Sequence, residues 1–180
     1  MTIARREQLL ALAADVLERD GLDEFGIGSL ARAAAVKPPS LYKQFNGLAD
    51  IENALISRGF ADFARAIADA VASAAADARE RVAAFARAYR AHALASPQLY
   101  RLMTARPLDR DAIGPGSELA AMAGVLALFG EDEHRHDVAR AAWAWAHGLV
   151  TLEIAQRFPP GADLDAAWDV LIESLSARVA

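Results

Sequence analysis

The chain has 180 residues, of which 54% are hydrophobic, and it carries a formal net charge of −5 and no cysteine. Alanine and leucine make up most of the apolar excess, which favours an all-α fold, and the lack of cysteine excludes disulfides, thiolate metal sites and thiol catalysis. No apolar signal segment opens the chain and no run of about 18 residues is free of charge, so we expect a cytoplasmic protein that enters no membrane.

The first predicted element is an amphipathic helix from Thr2 to Asp20, followed by Gly21 in the position of a C-cap glycine. Its buried side is formed by apolar residues at helical spacing, namely Ile3, Leu9, Leu10, Ala13, Val16 and Leu17. Two basic residues at its start, Arg5 and Arg6, are candidate contacts to a phosphate backbone. The alternative for both is a solvated first turn.

Two short helices that meet at a tight corner are predicted next. The segment Ile27–Val36 has apolar residues at helical spacing, and Pro38 follows it closely. Proline fits the first turn of a helix but not its interior, so one helix ends before Pro38 and another begins there. The second helix, Pro39–Phe45, places Leu41 and Phe45 inward and leaves a polar, basic exterior. This pattern predicts a helix-turn-helix.

The charges around this corner favour contact with nucleic acid. Between Gly26 and Leu48 the ionisable residues are Arg32, Lys37 and Lys43, with no acid among them, although the chain as a whole is acidic. A local charge of this sign suits a surface that meets phosphates.

The outward residues of the corner are therefore the candidate DNA contacts. They are Arg32, Lys37, Pro39, Ser40, Tyr42, Lys43 and Gln44. The Gln44 amide suits adenine, while Lys37 and Lys43 suit guanine or phosphate, and Tyr42 suits the backbone. The alternatives are a plain helical corner with a solvated basic edge, and a Tyr42 ring half packed on the core.

These residues resemble the DNA-binding module of the TetR family of transcriptional regulators. Leu30–Val36 is similar to the second helix and turn of that family, and Ser40–Phe45 is similar to its recognition helix with its pair of aromatic residues. The resemblance implies a three-helix DNA-binding domain over residues 1–47. It further implies a larger helical domain for effector binding and dimerisation over 48–180, with about nine helices in the whole chain.

Two positions depart from the family pattern. Ala35 stands where glycine is usual in the turn, and a non-glycine residue at positive φ costs about 1 kcal/mol, so we expect a slightly reshaped turn. Leu48 stands where a lysine that meets a phosphate is common, which removes one expected contact.

The remainder of the chain continues as helices. A long helix is predicted over Gly47–Ala76, which by resemblance links the two domains and transmits the ligand signal, and another over Arg79–Ala95. Ser96–Pro97 opens a short helix, Pro107–Gly116 is the most loop-like segment, and Ser117 opens a further helix.

This helical body is the expected site of a small-molecule effector, because small alanines that face bulky aromatic residues leave room for a cavity. The candidate residues are Phe63, Tyr89, His92, Leu99, Met103, Met122, Leu126, Trp143 and His147. For any one of them, an ordinary place in the core is the alternative.

The last two predicted helices form the expected dimer interface. Asp137–Phe158 is apolar on every side, so a second subunit is expected to cover what its own subunit leaves open, and a final helix runs from Asp163 or Asp165 to Val179. The candidate interface residues are Ala142, Trp145, Leu149, Leu152, Trp168, Leu171 and Leu175. The run Ala142–Glu153 also resembles the Trp-His-Gly type of TetR C-terminal domain.

The sequence offers little for metal binding or catalysis. His134 and His136 lie among acidic residues, but alternate positions of a helix do not face each other, so a solvated helix start is the favoured interpretation. The chain shows no nucleophile with a base and an orienting group, and no phosphate-binding glycine loop, so we expect neither an enzyme nor a cofactor.

Together these patterns predict a TetR-like homodimeric repressor, released by a ligand, whose two recognition helices lie roughly 34–36 Å apart on a pseudo-palindromic operator. The alternative is an all-α dimeric small-molecule-binding or scaffold protein whose helix-turn-helix does not engage DNA, which Ala35 and Leu48 favour.

Overall fold

The structure is a computed structural model that describes residues 2–74, 77–105, 107–113, 116–131 and 133–179. Within these ranges the chain forms nine helices and no strand, which confirms the all-α prediction. The helices are α1 (Thr2–Asp20), α2 (Ile27–Ala33), α3 (Pro38–Leu41), α4 (Leu48–Ser73), α5 (Ala78–Ala95), α6 (Pro97–Thr104), α7 (Ser117–Leu126), α8 (Arg135–Ile154) and α9 (Leu164–Ser176). No helix in the described ranges is long and apolar enough to cross a membrane.

The helices pack as two units. The first comprises Met1–Phe60 together with Ser96–Ser117, and the second comprises Ala61–Ala95 together with Glu118–Ala180. Helix α4 therefore contributes to both, and α6 belongs to the first unit although it follows α5 in sequence. The division predicted between residues 47 and 48 concerns function and stays a prediction.

The core of the first unit is built on α1. One stripe of α1 is buried, as the sequence pattern predicts, and it is formed by Leu9, Leu10, Ala13, Val16 and Leu17. This stripe forms one cluster with residues of α2, α3, the turn after α3, and α4, among them Leu30, Leu41, Phe45, Ile51 and Leu55. The short helices α2 and α3 are thus held on a shared apolar base.

Helix α6 is fastened to α1 by polar contacts. The carboxylate of Glu18 accepts hydrogen bonds from the backbone N–H groups of Leu99, at 2.8 Å, and Gln98, at 3.2 Å. A carboxylate at the N-terminus of a helix accepts hydrogen bonds from N–H groups that have no partner within the helix, and it complements the helix dipole. The Gln98 side chain in turn accepts from the Leu22 N–H at 3.2 Å. These bonds explain why α6 packs with the first unit.

In the second unit, α5 packs against both α8 and α9. One stripe of α8 is buried, formed by Ala139, Ala142, Ala146 and Val150. The buried stripe of α9 is formed by Trp168, Leu171, Ile172 and Leu175. The rest of α8 keeps apolar residues at the surface of the subunit, so the chain covers only part of this helix, as its all-round apolar pattern predicts.

One arginine joins the three helices of this bundle. Arg90 of α5 donates to Glu153 of α8 through Nη2 at 2.8 Å and through Nε at 3.0 Å, and it also pairs with Asp165 of α9. Its Cζ lies 5.8 Å from the ring centroid of Trp168, within cation–π distance. Because only 14% of the Glu153 side chain is exposed, the Arg90–Glu153 pair is largely shielded from water.

Several helices end earlier than their apolar patterns suggest. Helix α3 ends at Leu41 rather than Phe45, because the chain then turns, with the N–H groups of Gln44 and Phe45 donating to the Leu41 carbonyl. Helix α8 ends at Ile154 because Gln156 adopts a left-handed conformation with φ 52. Helix α4 ends at Ser73, and the end predicted at Ala76 lies outside the described residues.

Candidate nucleic-acid interface

Helix α2 begins with a local cap and ends in the turn of the motif. The Ser29 hydroxyl accepts from the Gly26 N–H at 3.0 Å and donates to the Gly26 carbonyl at 2.9 Å, which fixes the first turn. Leu30 and Ala31 are its buried residues, so the helix rests on the α1 core and leaves Arg32 exposed.

The turn that follows α2 is a Schellman motif with alanine in the glycine position. Ala35 has φ 51, its N–H donates to the Arg32 carbonyl at 3.2 Å, and the Val36 N–H donates to the Ala31 carbonyl at 3.0 Å. The backbone is therefore the left-handed one that glycine adopts in such turns, and the predicted reshaping of the turn is wrong. Alanine holds this conformation at a cost of about 1 kcal/mol.

Helix α3 starts one residue earlier than predicted. Lys37 is its extended N-cap residue, and Pro38 and Pro39 occupy its first positions, where proline leaves no helical hydrogen bond unmade. Leu41 and Phe45 are almost fully buried and anchor the segment from beneath.

The opposite side of this segment is open to solvent. Tyr42 is 57% exposed, so more than half of this residue is open to solvent, and the alternative that half packs its ring on the core stays open. The other exposed candidates are Arg32, Lys37, Pro39, Ser40 and Lys43. Lys37 and Lys43 are the two lysines of the chain, and both lie here. The structure thus gathers six of the predicted contacts on one accessible corner, and their role as DNA contacts stays a prediction.

Gln44 is placed differently from its neighbours. Its side chain is half-buried, and its Oε1 is enclosed with no hydrogen-bond partner among the described residues. Bidentate recognition of adenine needs this oxygen together with the amide nitrogen. In this conformation Gln44 therefore does not present a base-reading amide.

The two arginines at the start of α1 also differ. Arg5 is exposed, whereas Arg6 donates from Nη2 to Oδ1 of Asp50 at 3.2 Å and lies over the Phe45 ring, with its Cζ 4.9 Å from the centroid. Asp50 is not among the residues predicted from the sequence. The one local signal for it is an acidic residue in the first turn of α4, and nothing in the spacing indicates Arg6 as its partner.

Three of the candidate effector residues meet in the second unit. The Phe63 ring stands edge-on to Tyr89 and to His92, at centroid distances of 4.8 and 5.0 Å. Phe63 and Tyr89 are buried and His92 is half-buried. Burial lowers the pKa of His92 below its usual value of 6.5, and nearby Asp62 opposes this shift. The three rings form an apolar cluster whose imidazole is neutral at pH 7.

The other effector candidates are dispersed. Trp143 and His147 stack on α8, with centroids 5.5 Å apart, and burial lowers the pKa of His147. Met122 and Leu126 are half-buried on α7. Leu99 and Met103 belong instead to the first unit, where they lie beside Gly59. The binding roles of all nine residues stay predictions.

The candidate dimer residues fall into two groups. Ala142, Trp168, Leu171 and Leu175 are buried within their own subunit, so they belong to its core rather than to its surface. Trp145 and Leu152 are exposed, and Leu149 is half-buried.

Val170, which is 54% exposed on α9, is not among the interface residues predicted from the sequence. The signal was available, since Val170 is an apolar residue that lies off the buried stripe of its helix.

A cleft of about 350 Å³ opens in the first unit beside Arg6 and Asp50. Among the described residues that line it, none belongs to the predicted effector set. Within the described ranges, no group of three or more histidine and acidic side chains is placed to hold a metal ion. His134 and His136 are both exposed, and Nε2 of His134 lies 3.4 Å from Oε1 of Glu133.

Comparison with known proteins identifies the family. Residues 82–175, more than half of the chain, match a family model described as the tetracyclin repressor-like C-terminal domain. The chain belongs to the TetR family of transcriptional regulators. It is 30% identical over 177 residues to an uncharacterized HTH-type transcriptional regulator of Mycobacterium tuberculosis, a match that covers 96% of this chain and 80% of that protein.

Solved structures of similar fold extend over nearly the whole TetR-family chain. One is a protein of unknown function from Rhodococcus sp. RHA1, with a TM-score of 0.81 and 28% identity over 97% of this chain and 94% of that one. Another is a possible TetR family transcriptional regulator from Streptomyces coelicolor A3(2), with a TM-score of 0.72 and 21% identity over 96% of this chain and 98% of that one. The latter shows likeness of fold alone.

Proposed function

We propose that this TetR-family chain is a cytoplasmic, ligand-released repressor that binds a pseudo-palindromic operator as a homodimer. The observation that carries the proposal is that the segment Pro38–Phe45, called the recognition segment from here on, has one buried side and one exposed side. Leu41 and Phe45 are buried beneath it, while Ser40, Tyr42 and Lys43 stand in solvent on the other side. A short helix held from below with a polar, cationic exterior suits insertion into a major groove.

Electrostatics supply the affinity in this proposal. Arg32, Lys37 and Lys43 are exposed within one acid-free segment, so each can displace a counterion from a phosphate. Ala35 is one of the two departures from the family pattern that favoured the alternative without DNA binding. It nevertheless adopts the left-handed backbone that glycine adopts in such turns. The corner therefore keeps the geometry that the motif needs.

Dimerisation is supported by apolar surface on α8 and α9. Trp143, Trp145, Leu152 and Val170 are large apolar residues left exposed by the subunit. Exposed residues of this size on two helices suit burial against their symmetry mates in a four-helix bundle. A two-fold axis through such a bundle would present two α3 segments to one duplex.

Effector binding is assigned to the second unit. The apolar rings of Phe63 and Tyr89, with the neutral His92 beside them, suit a largely apolar ligand that has one hydrogen-bonding group. We assign the C-terminal domain to the Trp-His-Gly type on the run Ala142–Glu153. Ligand would favour a form whose two recognition segments are wrongly spaced, and so release the operator.

Binding to DNA from the region that flanks its own gene, measured by fluorescence anisotropy across salt concentrations, tests the proposal. Lys43→Ala should weaken binding about tenfold and lower the slope of log K against log salt by about 1. Arg178→Ala removes one exposed charge from the last turns of the chain and is the matched control, expected to leave both unchanged. A wild-type protein that prefers no flanking sequence, even at low salt, would contradict the proposal.

A further inference from the structure

The guanidinium group of Arg6 makes two contacts within the protein, one through an edge and one through a face. Its Nη2 lies 3.2 Å from Oδ1 of Asp50, and its Cζ lies 4.9 Å above the Phe45 ring. Phe45 ends the recognition segment and is buried, while 36% of the Arg6 side chain remains exposed. These two contacts hold the guanidinium group against α4 and the segment that follows α3.

Asp50 extends this contact to the backbone. Its second oxygen, Oδ2, accepts a hydrogen bond from the Asn46 N–H at 2.9 Å. Asn46 directly follows Phe45, and Gly47 after it has φ 125, so the chain leaves the recognition segment through a turn that suits glycine. One carboxylate thus joins α1, through Arg6, to the exit of the recognition segment.

We propose that Arg6 and Asp50 are a positioning pair that fixes the orientation of the recognition segment, and that Arg6 is not a phosphate contact. The proposal rests on the DNA binding proposed above. Base recognition requires side chains held to within about 0.5 Å, so a small tilt of α3 lowers affinity for the operator selectively. Backbone contacts carry no sequence information, so affinity for unrelated DNA should change little.

The two possible roles of Arg6 predict opposite effects at Asp50. If Arg6 met a phosphate, Asp50 would be a negative charge near DNA that competes for it, and Asp50→Asn would strengthen binding. If the pair positions the recognition segment, Asp50→Asn weakens binding to the operator. The sign of this one change therefore separates the two roles.

The experiment compares Arg6→Ala, Asp50→Asn and the double variant on an operator duplex and on a scrambled duplex, across salt concentrations. We expect each single variant to lose about tenfold in operator affinity, as one mismatched base pair does. The double variant should lose no more than either single, because both changes break the same contact. The salt slope and the affinity for the scrambled duplex should stay as in the wild type.

Arg5→Ala is the matched control, because it removes the same charge from the adjacent residue, which is exposed. Any effect of that variant should fall equally on both duplexes. The inference is overturned if Asp50→Asn strengthens or does not change operator binding, if Arg6→Ala lowers the salt slope by about 1, or if the two losses multiply. Circular dichroism verifies that each variant folds. If Arg6→Ala does not fold, the direction of the change in operator affinity for Asp50→Asn distinguishes the two roles of Arg6.

The outcomes also separate this inference from the proposed function. A wild-type protein without preference for the operator contradicts the proposed function and the pair with it. A wild-type preference that all three variants retain contradicts the positioning pair alone.

Discussion

Replacing Ala35 with glycine should make the protein more stable. Ala35 holds a left-handed conformation with φ 51, which costs a non-glycine residue about 1–2 kcal/mol. Its methyl group is exposed, so its loss removes no buried contact. Glycine gives back about 0.4–1 kcal/mol through the greater freedom of the unfolded chain. From the midpoints of these two ranges the net gain is about 0.8 kcal/mol, or roughly 2 °C in the melting temperature of a chain of this size.

Chemical denaturation at fixed protein concentration measures this gain, since dimerisation would otherwise alter the apparent stability. Ala11→Gly is the control, because Ala11 is exposed in the middle of α1, in the same unit. There the same change should destabilise by about 0.5–1 kcal/mol. Operator affinity of Ala35→Gly should match the wild type, because both residues adopt the same backbone. An Ala35→Gly variant no more stable than the wild type would refute the reasoning that the turn is strained by its alanine.

Three further predictions concern the second unit. Arg90→Leu leaves the shielded Glu153 carboxylate without its main partner and should lower the free energy of unfolding by about 2 kcal/mol. Arg87→Leu, which breaks a surface pair on the same helix, should cost less than about 1 kcal/mol, and equal losses by denaturation would contradict the distinction. Burial lowers the pKa of His92, so as the pH falls the unfolded chain binds a proton at this residue before the folded chain does. The free energy of unfolding is therefore at its full value well above pH 6.5 and decreases as the pH falls below 6.5. His92→Gln should therefore show a smaller fall in the free energy of unfolding between about pH 7.5 and 5.5 than the wild type. If the free energies of the two proteins fall in parallel with pH, His92 does not cause the dependence. Leu152→Glu, at an exposed position, should shift the mass measured by light scattering towards one subunit while the helical content by circular dichroism stays constant.

Local sequence patterns predicted most helices because burial follows their spacing. In α1 the apolar residues Leu9, Leu10, Ala13, Val16 and Leu17, and in α9 the residues Trp168, Leu171, Ile172 and Leu175, recur at helical spacing and are buried as expected. In α8 every side is apolar, so the spacing did not indicate which side faces the subunit. The structure buries a stripe that includes Ala139, Ala142 and Ala146, which left Ala142 in the core rather than at the expected interface.

The candidate DNA surface was predictable from local sequence, whereas the residues that depart from it were not. Proline preferences located the corner, but the contacts of Arg6 and the burial of Gln44 depend on residues brought near by folding. Asp50 is 44 positions from Arg6, and no spacing rule connects them. The association of α6 with α1 through Glu18 is likewise a contact between residues about 80 positions apart.

The chain passes between the two packing units three times, at Phe60, Ala95 and Ser117. A gene truncated after α4 would therefore encode α1, α2 and α3 without α6, whose first turn Glu18 caps. In such a fragment the apolar cluster of the first unit would lack Leu102 and Met103, which α6 supplies. No single continuous stretch of the gene encodes the first unit, because α6 is encoded after α5, which belongs to the second unit.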